Sequence, residues 1–356
     1  MKRDHGGEPL ARIDASVNLN PLGPPASLDA VFARSRELAS RYPEIDATSA
    51  REAWARRLGI PVGQLLVGNG ASELISLVVR AIGPRRVIVF DPCYSEYTVA
   101  ARAARAHLAH VPLRLHGESW RTPVGGLLSS GRIEDLAVGD GDLVVVGQPN
   151  NPTGHLTAVE SLTELARSGA HVLADESFLA LAESHSGVAS TSSHSLVPLL
   201  GRRISVVASL TKSFCVPGLR LGYLAADESL VDRIGEIRDP WSVNGIAAEA
   251  AVALASEDGY LERARVLLDS ERVRMESALA SLGLRITDGV APWVLAELPE
   301  PLGAGDLSSN LLTRGIAIRD ASSFPGLSGR WVRIGVRTPA ENDGIIVALR
   351  DVLGRS

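Results

Sequence analysis

From about residue 64 the chain alternates short, continuous apolar runs with stretches of helical periodicity. Gln64–Val67 reads as a strand, followed by the turn Gly68-Asn69-Gly70 and a helical run over Ala71–Ile82. Arg86–Phe90 (RVIVF) is a second strand, and Ser95–Ala106 a second helix. Asp142–Val146 (DLVVV), Val172–Ala174, Ile204–Ala208 and Leu219–Ala225 continue the strands, with a helix over Val159–Arg167. Continuous β-branched runs separated by helices imply a mainly parallel sheet covered on both faces. A long helical stretch, Gly245–Leu282, precedes a tail whose rhythm changes. The tail reads strand (Val294–Leu298), helix (Leu307–Arg314), strand (Ile316–Arg319), strand (Trp331–Val336) and helix (Glu341–Leu353), an α+β pattern. The expected organisation is therefore an arm over residues 1–40 that packs with the small domain, a large α/β domain over 41–244, and a small C-terminal α+β domain over 245–356.

Composition narrows the function. Apolar residues are 45% and charged residues 22% of the 356, the make-up of a globular chain with ample core. A net charge of −5 argues against a nucleic-acid surface or a polybasic membrane anchor. No run of about 18 apolar residues is present, and the start, Met1 to Gly7, lacks the apolar stretch of a signal peptide. The cytoplasm is the expected compartment. Two cysteines, Cys93 and Cys215, have no metal-ligand spacing, so no metal site is expected.

Of the 36 basic residues, two are lysines, Lys2 and Lys212. A chain that uses arginine wherever it needs a positive charge, and keeps one interior lysine, points to chemistry that arginine cannot do. Lysine can lose its proton when desolvated and act as a nucleophilic amine.

In parallel sheets ligands gather outside the carboxyl ends of the strands. Four polar clusters stand there. Gly68-Asn69-Gly70-Ala71-Ser72-Glu73 opens a helix and suits a phosphate; taken alone, it reads better as a tight strand–helix turn that needs a positive φ. Asn150-Asn151-Pro152-Thr153-Gly154 is a turn by composition, with two amides able to donate to a ligand. Asp175 ends a strand, where a buried acid needs a partner; the plain alternative is a helix N-cap. The fourth cluster, Ser209 to Tyr223, places Lys212 among hydroxyls with Arg220 eight residues on. Lysine, a distant acid, and a hydroxyl with an arginine form the set that pyridoxal phosphate uses.

The combination of NPTG, Asp-Glu at a strand end, S-x-x-K and R-L-G-Y, in this order, resembles the aspartate-aminotransferase-like superfamily of pyridoxal-phosphate enzymes (fold type I). Within it, Ser16-Val17-Asn18-Leu19-Asn20-Pro21-Leu22-Gly23, Leu210-Thr211-Lys212, Pro240-Trp241-Ser242-Val243-Asn244 and Phe324-Pro325-Gly326-Leu327 resemble the L-threonine-O-3-phosphate decarboxylases of cobalamin biosynthesis. Histidinol-phosphate aminotransferases are their sister branch. The resemblance implies that Lys212 carries the cofactor and that Asp175 faces its ring nitrogen. It implies that Asn151 donates to the ring's 3-oxygen, that Gly70, Ala71, Ser72, Ser209 and Arg220 hold the phosphate, and that Tyr94 stacks on the ring. Tyr42 would reach the neighbouring subunit's cofactor in a homodimer. His5, Gly6, Asn18, Asn151, Arg319 and Arg333 match substrate-binding positions, with Arg333 the better candidate for a carboxylate. The substrate implied is a small phosphorylated, or phosphonate, amino acid. Phe178 stands where many aminotransferases carry a tyrosine, as in the decarboxylases. The segment between His5 and Asn18 is shorter than is usual in the decarboxylases.

Other residues have plainer expectations. The remaining histidines read as surface or packing residues, Cys215 as a small packed hydrophobe, Trp241 as core and Arg337 as a solvated strand end. Three functions compete: a decarboxylase, an aminotransferase of the histidinol-phosphate type, and a fold that has lost catalysis. Intact Lys212, Asp175 and Arg220 argue against the third.

Overall fold

The computed structural model describes residues 6–124, 132–133, 136–182, 194–201 and 203–354. Seven strands form the large sheet, in the spatial order Leu65–Gly68, Gly222–Ala225, Ile204–Ser209, His171–Asp175, Asp142–Gly147, Arg86–Asp91, His107–Pro112. All run parallel except Gly222–Ala225, which is antiparallel to both its neighbours. The alternation of side chains explains why the strands read as continuous apolar text: Leu65, Val67, Ile88, Phe90, Val144 and Val146 pack into one core, while Leu66, Val87, Val89, Leu143 and Val145 pack into another. A sheet buried on both faces leaves its loops at the strand ends as the place for polar chemistry. Gly68, Asp91, Gly147, Asp175 and Ser209 all finish on the same edge.

The C-terminal region builds a four-stranded antiparallel sheet, in the order Arg285–Ile286, Trp293–Glu297, Trp331–Gly335, Arg319–Asp320. It is backed by helices Asp258–Ser281, Ala304–Thr313 and Pro339–Val352. The helix Pro339–Val352 starts with a full capping box, Thr338 with Glu341. Near the N-terminus, Ile13–Asp14 pairs in parallel with Ile316–Ala317. Farther along this segment, the Asn20 N–H donates to the Lys212 carbonyl, and Asn20 Nδ2 donates to the Ser213 carbonyl. The N-terminal segment thus lies between the small sheet and the Lys212 loop.

Several boundaries differ from expectation. The helical stretch Gly245–Leu282 is two helices, Gly245–Leu254 and Asp258–Ser281. The strand expected over Leu219–Ala225 begins at Gly222, because Pro217–Leu219 forms a 3-10 turn and Arg220 takes a left-handed φ of 55°. The strand expected over Ile316–Arg319 splits: Ile316–Ala317 serves the N-terminal segment, and Arg319–Asp320 serves the small sheet. Trp241 is not core but 45% exposed, against the ring of Tyr42. No helix among the described residues is long and apolar enough to cross a membrane.

Candidate active site

A cavity of about 780 Å³ opens at the shared strand edge. Its walls include Asn18, Ala71, Ser72, Tyr94, Asn151, Asp175, Ser209, Lys212, Arg220, Arg319 and Arg333, so most of the residues singled out in the sequence meet in one place. His5 lies outside the described residues. Gly6 lines a smaller neighbouring cavity of about 250 Å³ with Gly7 and Ser16, and Arg319 borders both. Tyr42 is 85% exposed and does not line the cavity of its own chain.

Lys212 sits on the single helical turn Leu210–Ser213 that follows the strand Ile204–Ser209. Burial pushes its amine down to about 8, and Arg333 and Arg220 push the same way. The amine therefore sheds its proton far more readily than an exposed lysine does.

Asp175 closes its strand with 8% of its surface exposed. Burial raises its carboxyl, and hydrogen bonds from Ser177 and Tyr97 oppose that rise. The Ser177 N–H donates to Oδ1 at 3.1 Å and the Tyr97 hydroxyl to Oδ2 at 2.8 Å. The plain alternative of a helix cap does not hold: the next helical element is the 3-10 turn Leu179–Leu181, and its N-cap is Phe178.

Another part of the cavity wall is built for an anion. Helix Ala71–Ile82 presents its N-terminus there, with Gly70 as N-cap at φ 82°. A Cβ on Gly70 would stand 2.7 Å from Arg220 Nη2, so glycine lets the guanidinium close over the helix end. A Cβ on Gly222 would stand 2.9 Å from the Ala71 nitrogen, so the antiparallel strand fits only with glycine here. Ser209 and Thr211 share a 2.6 Å hydroxyl contact, and Ser72 and Tyr94 one of 3.2 Å. Helix N–H groups, hydroxyls and an arginine form a phosphate cradle.

Two arginines stand directly across from each other on adjacent antiparallel strands, Arg319 opposite Arg333. Both are almost fully buried, 5% and 4% exposed, and both lie over the ring of Phe324, at 5.7 and 5.9 Å. Arg333 also lies over Trp293 at 5.5 Å. Trp293 is fixed by Phe178 edge-on at 4.8 Å and by its Nε1 donating to the Pro152 carbonyl at 2.7 Å. Arg333 Nη1 donates to Asn151 Oδ1, and Nη2 donates to the Ser16 carbonyl at 2.9 Å. With its oxygen engaged, Asn151 has its amide NH2 left to donate. Asn18 is buried in the cavity wall, and its Oδ1 has no hydrogen-bond partner among the described residues.

Sequence reading did not single out Tyr97 or Trp293, because neither belongs to a local motif. His110, expected among the surface or packing histidines, is exposed, and its Nδ1 meets Asp91 Oδ2 at 2.5 Å where both line the cavity. His155 and His171 are packing histidines, both held neutral by burial that lowers them to about 4. Arg337 is not solvated: it is partly buried between Glu341 and the Leu19 carbonyl, outside the cavity lining.

The fold and this constellation define an α/β enzyme with a lysine-centred site between an anion cradle and a buried acid. The sequence pattern of the aminotransferase class I and II family matches residues 14–349, and the chain belongs to that family. It is 31% identical to the threonine-phosphate decarboxylase of Salmonella typhimurium, over 98% of this chain and 93% of that protein. It is 30% identical to a histidinol-phosphate aminotransferase of Desulfitobacterium hafniense, over 96% of this chain and 91% of that protein. Among solved structures, the histidinol-phosphate aminotransferase of Sinorhizobium meliloti in complex with pyridoxal-5'-phosphate superposes with a TM-score of 0.82 at 20% identity, covering 97% of this chain and 91% of that one. The family depends on pyridoxal phosphate, and the residues present fit it. The helix N-terminus at Ala71, with Ser72, Ser209 and Arg220, lines the cavity with donors for the phosphate, and Asp175 offers a buried acid in the same cavity.

Proposed function

We propose that the protein is a decarboxylase of O-phospho-L-threonine or a close phosphorylated or phosphonate amino acid, releasing carbon dioxide and the phosphorylated amino alcohol. The observation that carries this reading is the facing pair of buried arginines, Arg319 and Arg333. A substrate with both a carboxylate and a phosphate brings two anions, and each guanidinium offers a bidentate face to one of them. The similarity to threonine-phosphate decarboxylases along nearly the whole chain points the same way.

The cofactor, when bound, supplies an aldehyde for an amine and a ring that accepts the electron pair of a bond broken at the substrate's α-carbon. Ser72, Ser209, Arg220 and the N-terminus of helix Ala71–Ile82 would hold its phosphate. Asp175 would hold a proton on its ring nitrogen, and Asn151 would donate to its 3-oxygen. Arg333 would bind the substrate carboxylate and thereby select the bond to be broken, since small differences in placement decide which one is aligned. Lys212 would hold the group by its amine, and the same amine would move a proton at the substrate's Cα. The N-terminal segment packs over Lys212 and Arg333, through Asn20 and Ser16, and would keep water from the substrate's α-carbon.

Incubation with O-phospho-L-threonine tests the reading. Carbon dioxide and the amino alcohol are expected; a keto acid without carbon dioxide would make the enzyme an aminotransferase, and neither product would return the third function. Arg333→Ala should raise KM and lower kcat together, cutting kcat/KM by at least about 30-fold, the cost of truncating a buried charge partner. A drop in kcat with KM unchanged would move the carboxylate away from Arg333.

The proposal includes a homodimer, the commonest closed assembly. Tyr42 packs on Trp241 at 5.3 Å, and both remain well exposed in the single chain, a surface suited to a second copy. A mass of two chains is expected in solution; a fully active monomer would remove Tyr42 from the site.

A further inference from the structure

We infer that Tyr97 is a positioning residue for Asp175, setting the plane and the charge of the acid from the far side of the sheet edge. The inference rests on the reading that Asp175 faces the cofactor's ring nitrogen. A carboxylate held by one donor can still turn about its Cβ–Cγ bond. The first donor to Asp175, the Ser177 N–H, comes from its own loop and takes Oδ1. The second comes from helix Ser95–Ala103, where the Tyr97 hydroxyl takes Oδ2 at 2.8 Å. Two donors from independent elements fix the carboxylate plane.

Tyr97 is itself immobile. It is 2% exposed and packs into the same core as Val87, Val89, Leu143 and Val145. Burial and the neighbouring Asp175 push its phenol well above its ordinary value, so it remains a donor at every working pH. A fixed neutral donor favours the charged carboxylate, against the burial that would neutralise it. Tyr97 also stands edge-on to Tyr94, with centroids 5.6 Å apart at 86°. Tyr94 lines the cavity and meets Ser72 at the helix N-terminus. One chain of contacts, Ser72–Tyr94–Tyr97–Asp175, therefore ties the anion cradle to the acid.

The test is Tyr97→Phe in the holoenzyme, alone and combined with Asp175→Asn. Phe keeps the ring and its packing, and a thermal melt of each apoenzyme checks the fold. Losing a hydrogen bond to a charged group should lower kcat about 10-fold or more with KM within about two-fold, because the Tyr97 hydroxyl is engaged by Asp175. The visible absorbance of the bound cofactor should change as well, a signature that looser packing would not give. In the Asp175→Asn background the same substitution should change kcat less than about two-fold, because its effect runs through the carboxylate. Equal losses in both backgrounds, or a native kcat and spectrum in Tyr97→Phe alone, would overturn the inference. Near-native turnover in Asp175→Asn would instead overturn the reading of the acid itself, so the two failures are distinguishable.

Discussion

Replacing Lys212 by Ala abolishes turnover, by a factor on the order of 10⁴ or more, while the chain still folds. The size follows from losing at once the two roles proposed for Lys212: the nucleophilic amine that would attach the cofactor, and an acid–base group worth about 10² to 10⁴ by itself. Lys212 is the one interior lysine in a chain with 36 basic residues, so no neighbouring amine can replace it. Its pKa of about 8 arises from burial first and from Arg333 and Arg220 second. The fold should survive because the segment is held by its backbone, through Asn20 and the Leu221 carbonyl, not by the Lys212 side chain. A helix-turn residue whose buried cation disfavours the folded state is a small loss to stability. The check is spectroscopic as well as kinetic: wild-type holoenzyme should show a visible band that borohydride abolishes, and the variant should lack it. A persistent band in the purified variant would place the attachment elsewhere.

The strands were legible where both faces of the sheet are buried, since burial on two sides writes a continuous apolar run. Arg86–Asp91 and Asp142–Gly147 are of this kind. The edge strand His107–Pro112 was not legible, because its exposed and half-buried positions carry histidines and a proline in place of an apolar run. The helix expected to reach Ala106 stops at Ala103, where the chain turns through Arg105 at a φ of 57°, a conformation that few side chains announce. The motif-borne residues Asn151, Lys212 and Arg220 could be found because each lies in a short segment that must adopt one loop shape. Tyr97 and Trp293 could not. Tyr97 meets Asp175 across 78 positions, and Trp293 meets Pro152 across 141. Nothing local distinguishes such an aromatic from one that only fills the core. The facing of Arg319 and Arg333 depends likewise on strand register, which is set by the whole small sheet.

Asp175→Asn should leave the cofactor bound and cut the rate roughly 10² to 10⁴-fold, the equivalent of the 3–5 kcal/mol lost when one member of a buried charge pair is removed. Retention follows because the donors of the anion cradle are Ser72, Ser209, Arg220 and the helix N-terminus at Ala71, none of which is altered. The substitution is also close to isosteric, and the amide oxygen can still accept from the Ser177 N–H or the Tyr97 hydroxyl, so the strand end and its loop should hold. What the amide cannot do is balance a proton on the ring nitrogen, and without that charge the ring is a poorer acceptor for the electron pair left at the α-carbon. The electrostatics of the site sharpen the argument. Arg319, Arg333 and Arg220 line the same cavity as Lys212, so positive charge is abundant there, whereas Asp175 is the buried carboxylate in its inner wall. Removing it leaves nothing among the described wall residues at that position to stabilise a second positive charge. Cofactor content measured after dialysis, together with single-turnover rates, separates binding from chemistry. A variant that keeps both its cofactor and a near-native rate would show that Asp175 serves only to shape the loop through Ser177.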